Sequence, residues 1–110
     1  MELLPLELRA SLPPLGAQAD NRDPIVYVRF RLPRRGWVWF VTEGSPNPEG
    51  TDFCFFGFVV GMFGAEWGHF SLSELNAAQS PVGYKVERDA NFQRGPFSCV
   101  VRGPVGAQHF

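Results

Sequence analysis

From Phe53 to Ala65 the chain is apolar without a break, Phe-Cys-Phe-Phe-Gly-Phe-Val-Val-Gly-Met-Phe-Gly-Ala. Between Phe53 and Val60 large side chains fall at both odd and even positions. A strand tolerates that only when both its faces are covered or when one of them meets another molecule. Gly61 and Gly64 then interrupt the run, and it is too short to cross a membrane as a helix. The chain must therefore build a sheet around this segment, and it has 110 residues to do so. That is enough for one core and one domain. Twelve glycines and ten prolines call for many turns and short elements, which excludes a helical bundle or a coiled coil. With 15% aromatic and 19% charged residues the chain is too apolar to be disordered.

Neighbouring segments supply the rest of the sheet. In Ile25 to Leu32, Val26, Val28, Phe30 and Leu32 are predicted on one face, with Tyr27, Arg29 and Arg31 on the other. A turn at Pro33-Arg34-Arg35-Gly36 leads to a second strand, Trp37 to Thr42, so that 25–42 reads as a hairpin. Here Trp37, Trp39 and Val41 share a face, and Val38 and Phe40 take the other. After the strand at Phe53 to Val60, a short fourth strand is predicted at Glu66 to Phe70. Tyr84 to Glu87 and Phe97 to Val101 read as final strands or extended segments. Two helices frame the sheet. Leu4, Leu8 and Leu12 form an i, i+4, i+8 stripe that predicts a helix over 5–11, stopped by Pro13-Pro14. Ser71-Leu72-Ser73-Glu74 is a capping box that opens a second helix at about 72–79. Gly16 to Asp23 reads as a polar linker.

The net charge of -1 shows neither the basic excess of a general nucleic-acid binder nor the acidic excess of a DNA mimic. Cys54 and Cys99 both lie in apolar runs and read as buried free thiols of a reducing compartment. MELLPLEL carries Glu2 and Glu7 and has no cationic n-region, so it does not read as a signal peptide. A soluble, cytoplasmic protein is expected.

Motifs for catalysis are sparse. His69 and His109 are the only histidines, and at i, i+3 on a strand Glu66 and His69 point to opposite faces. Neither cysteine sits in a CxxC, Ser71 and Ser73 are explained by helix capping, and Glu87-Arg88-Asp89 suits ion pairs better than an acid/base dyad. No GxGxxG or GxxxxGK[ST] occurs. No enzyme, metal or cofactor is expected. Two surface features remain. Arg29, Arg31, Arg34 and Arg35 stand beside Tyr27, Trp37 and Trp39. That pattern suits a single-strand nucleic-acid platform or an ordinary solvated face with arginine stems on indoles. The second feature is the apolar excess, which continues through Met62, Phe63 and Trp67 to His69. Two short helices cannot cover both faces of four or five strands. Aromatic and arginine side chains are also the types enriched where proteins dock.

ELLPLELRASLPPL (Glu2–Leu15), DPIVYVRF (Asp23–Phe30), Trp37-Val38-Trp39 with Val41-Thr42-Glu43, FFGFVVG (Phe55–Gly61), FSLSEL (Phe70–Leu75) and VERDANF (Val86–Phe92) occur in that order. Together they resemble a family of small bacterial domains of unknown function. Members of that family are encoded largely on plasmids, integrative elements and phages, near conjugation or anti-defence genes. The resemblance covers about residues 1–92 and implies no catalytic residues. This chain keeps only Glu66 where such domains carry more acidic residues before the capping-box helix. His69 stands where an aromatic is usual, and 93–110 does not resemble the family's tail.

The expectation is a single α+β domain over 1–101 with a loosely held tail at 102–110. It comprises an antiparallel sheet of four to five strands, an N-terminal helix and a second helix at about 72–79. The expected function is that of a non-enzymatic protein-binding module of a mobile genetic element. The resemblance makes an anti-CRISPR or anti-restriction inhibitor of a host defence protein its most concrete form. The partner-binding residues are expected to be Tyr27, Arg29, Arg31, Arg34, Arg35, Trp37, Trp39, Phe63, Trp67 and His69. A single-stranded nucleic-acid accessory protein using the same Arg/aromatic face is the alternative, and a homodimer is a further use of the apolar surface.

Overall fold

Pro5 fixes an extended backbone at the N-cap, and its carbonyl accepts the Arg9 N–H at 3.0 Å, opening helix α1 (Leu6–Ser11). The leucine stripe does what its spacing demands: Leu4 and Leu12 are buried, and Leu8 is half-buried beneath the sheet. The computed structural model describes residues 2–33, 36–79 and 81–102.

Among the described residues seven strands follow in chain order: β1 (Ile25–Val26), β2 (Val28–Leu32), β3 (Trp37–Pro46), β4 (Phe53–Gly61), β5 (Gly64–Ser71), β6 (Glu87–Arg88) and β7 (Gly95–Pro96). Helix α2 (Leu72–Ala77) follows β5, and α3 (Phe97–Arg102) follows β7. The main sheet is antiparallel and five-stranded in the order β5-β4-β3-β2-β6, and β1 pairs with β7 in a separate two-stranded sheet. The fold is α+β, as its sequence pattern requires. Among the described residues no helix is long and apolar enough to cross a membrane.

The apolar run at Phe53 lies inside the sheet, between β3 and β5, and packs on both faces. On the front face Phe53, Phe55 and Val59 join Val28, Phe30, Trp39, Val41, Phe70 and Leu75 beneath the N-terminal segment and α2. On the back face Phe58 and Val60 pack with Val26, Val38 and Phe40 against Phe92, Phe97, Val100 and Val101. Phe30, Phe40 and Phe55 are almost wholly buried, each worth roughly 1.5–3 kcal/mol of apolar transfer.

Four expectations are corrected. Ile25 to Leu32 is not one alternating strand. The Tyr27 N–H turns aside to the Val41 carbonyl at 2.8 Å, and the interruption sends Val26 to the back core while Val28 stays in front. Phe97 to Val101 is helical rather than extended. Its Phe97, Val100 and Val101 lie at i, i+3 and i+4, the spacing of a helix face, and cover back-face area that two helices would have left bare. The segment at Tyr84 to Glu87 enters a strand only at its last residue, Glu87, which opens β6, with Lys85 making an isolated bridge to Gln79. Cys54 is half-buried and Cys99 exposed, both as free thiols, because Cys99 falls on the outer side of α3.

Local hydrogen bonding places the helices. Ser71 Oγ accepts the Glu74 N–H at 3.1 Å, the cap expected from the sequence. Ser73 donates its N–H and its hydroxyl to Asp52 and so ties α2 to the loop before β4. The Ser73 hydroxyl first, and then the Phe53 N–H, hold the Asp52 carboxyl below the ordinary 3.8. α3 is fixed in a parallel way, with the Ser98 N–H and hydroxyl both on Asp23 and the Phe97 N–H on the Pro24 carbonyl.

Candidate functional site

β4 and β5 are joined by a tight turn at Met62 and Phe63, with Gly61 opposite Gly64. Gly64 has φ of 153°, a backbone that a side chain rarely adopts. The turn carries two large apolar groups into solvent, Met62 at 52% and Phe63 at 97% exposure. An exposed phenylalanine ring forfeits roughly 1.5–3 kcal/mol of burial. Beneath the turn Gly61 lacks a side chain where the Trp37 indole passes: a Cβ there would lie 2.7 Å from the ring. Trp37 in turn stacks on Trp39, with centroids 6.0 Å apart and planes at 23°. The indoles, Val59, the turn, Leu75 of α2 and Ala78 just after it line a front-face groove of about 680 Å³.

A second cleft, about 490 Å³, opens on the back face. Phe56 stacks on Trp67 at 5.9 Å and 14°, and the His69 ring lies 4.9 Å from Phe56. Phe97 of α3 packs against Trp67, with ring centroids 4.8 Å apart. The floor of the cleft is made by a register shift in β3 between Val41 and Glu43, where the ladder to β4 gains a residue. Glu43 is only 5% exposed. Its two carboxylate oxygens accept the backbone N–H groups of Gly16 at 2.8 Å and Gln18 at 2.7 Å. Gln18 reaches back in turn, donating to the Ile25 and Thr42 carbonyls and accepting the Ile25 N–H. The segment predicted as a polar linker is thus bound closely to the sheet.

The sequence-predicted site residues are divided by this geometry. Trp37, Trp39 and Phe63 border the front groove. Trp67 and His69 line the back cleft, and His69 also borders the front groove. Arg29 and Arg31 stand opposite Phe40 and Val38 on the back side, away from the two indoles. Arg29 is paired with Asp89 at 3.0 Å and Arg31 with Glu87 at 2.8 Å. Tyr27 packs at the edge of the front core under Arg94, whose guanidinium lies 4.8 Å from its ring centre. Arg34 and Arg35 lie outside the described residues. An arginine and tryptophan surface on one face is therefore not what Arg29, Arg31, Trp37 and Trp39 form.

Sequence reasoning passed over Glu43 and Gln18. A carboxylate inside the apolar stretch Val41-Thr42-Glu43 was the signal for the first, since buried charge in a strand needs dedicated partners. Among the described residues no three metal-ligating side chains gather.

No curated protein and no solved structure matches the chain significantly. A family model described as a protein of unknown function (DUF2958) matches residues 3–101, which takes in every described strand and both described clefts. By that match, and in accord with the order of its strand and helix motifs, the chain belongs to the DUF2958 family.

Proposed function

We propose that this protein is a non-enzymatic binding module that docks on another protein through the Met62–Phe63 turn and the front-face groove beneath it. The observation that carries this reading is the 97% exposure of Phe63 beside a groove walled by Trp37 and Trp39. Exposed aromatic anchors next to preformed apolar hollows are the usual makings of a protein–protein hot spot. The polar groups that might have suggested catalysis have other employment. Ser71 and Ser73 serve Glu74 and Asp52, while Glu87 and Asp89 hold Arg31 and Arg29.

The concrete form of this reading is an inhibitor carried by a mobile genetic element and directed at a host defence protein, anti-CRISPR or anti-restriction. Its support is the resemblance to domains encoded on such elements. Binding of single-stranded nucleic acid has less in its favour, because the paired Arg29 and Arg31 lie away from the stacked indoles.

Affinity capture from host lysate, with the wild type and Phe63→Ser side by side, tests the proposal. A stoichiometric protein recovered by the wild type and lost with Phe63→Ser is expected. Recovery of nucleic acid alone would replace this reading, provided oligonucleotide binding falls steeply with salt and is lost in Arg29→Ala/Arg31→Ala.

A further inference from the structure

Among the described residues β5 is an outer strand of the five-stranded sheet with no strand on its far side, and its residues Gly64 to Trp67 are exposed. Long edge strands are normally guarded by lysine, proline or a bulge, because their unpaired N–H and C=O groups invite another strand. β5 has none of these. It runs for eight residues in unbroken register with β4, and Glu66 is its only charge.

We propose that β5 pairs antiparallel with β5 of a second copy of this chain, about a two-fold axis through Gly68. A two-fold normal to the sheet keeps each face on its own side, so opposed residues must share a face. Pairing about Gly68 sets Trp67 against His69 of the second copy, twice, extending the Phe56, Trp67 and His69 aromatic row across the junction. Glu66 then meets Phe70 of the second copy and Ala65 meets Ser71, so no like charges face each other. The strand is self-complementary: Gly68 has an aromatic ring on either side, both on the back face. A net charge of -1 per chain opposes association little. The result is a continuous ten-stranded sheet with both front grooves on one side and the Met62–Phe63 turns at opposite ends of the junction. It stands whether or not those turns bind a protein.

Gly68 supplies the test, because a Cβ there meets nothing within 4 Å and its φ is ordinary, so the single chain accepts a side chain. Light scattering at micromolar concentration is expected to give twice the 12.3 kDa chain mass for the wild type, and a monomer for Gly68→Lys, which sets two ammonium groups on the axis. In a Cys99→Ser background, Gly68→Cys is expected to form a disulfide-linked dimer on oxidation and Ala65→Cys is not, since directly opposed strand residues fall within disulfide reach. A monomeric wild type overturns the proposal. So does a dimer that survives Gly68→Lys, or cross-linking that favours position 65.

Discussion

Gly57 lies directly against the backbone of Phe40: a Cβ at position 57 would run into the Phe40 carbonyl oxygen. The contact sits in the middle of the β3–β4 ladder, where Val41 faces Gly57 just before the register shifts toward Glu43. Backbone atoms in a paired ladder cannot move aside as a flexible side chain can.

Gly57→Ala is therefore expected to destabilise the fold strongly, by about 3 kcal/mol, at the upper end of small-to-large substitutions in packed interiors. Gly68→Ala, on the neighbouring strand but facing open space, is expected to cost less than about 1 kcal/mol. Urea denaturation of the two variants checks the contrast.

Glu43→Ala removes the acceptor of two backbone donors, the N–H groups of Gly16 and Gln18. Leaving them unmatched is expected to cost about 1–3 kcal/mol. The loss should be local, so amide exchange at Gly16 and Gln18 should accelerate well before exchange in β3 and β4 does. Uniform acceleration across the sheet would mean that Glu43 supports the whole core rather than this one segment.

How much of this was legible depends on whether a signal was local. The leucine stripe, the Ser71 cap and the two-faced apolar strand at Phe53 each declare themselves within a few residues, and each forms as read. The fate of Val26 does not, because it is decided by a hydrogen bond from Tyr27 to Val41, fourteen residues away. Phe97 to Val101 sets Phe97 and two β-branched valines at helical spacing, and Asp23, distant in sequence, decides for the helix by accepting the Ser98 N–H and hydroxyl. The candidate site follows the same division. Exposed Phe63 could be found in the composition of one segment. The separation of Arg29 and Arg31 from Trp37 and Trp39 could not, since it depends on which face each strand turns to its neighbour.

Asp52 introduces a pH dependence with a definite sign. Its folded-state carboxyl lies below the ordinary 3.8, chiefly through the Ser73 hydroxyl. The stabilisation it brings is complete above the unfolded value and is lost as pH falls through the lower folded value. Asp52→Asn should therefore be less stable than the wild type at about pH 6, and the gap should close toward about pH 2.5. Paired urea titrations at the two pH values measure it. A gap independent of pH would assign the role to shape rather than charge.

The docking surface is tested most directly by calorimetric titration of the captured partner with the wild type, Met62→Ala/Phe63→Ala and Arg29→Ala/Arg31→Ala. If the apolar turn is the anchor, the first double variant weakens binding at least about tenfold, roughly 1.4 kcal/mol or more, as truncation of a central aromatic does. The arginine variant then stays within about threefold of the wild type, as expected for side chains already held by Asp89 and Glu87. Unchanged affinity in Met62→Ala/Phe63→Ala, with the loss falling on the arginine variant instead, would contradict a docking surface at the β4–β5 turn.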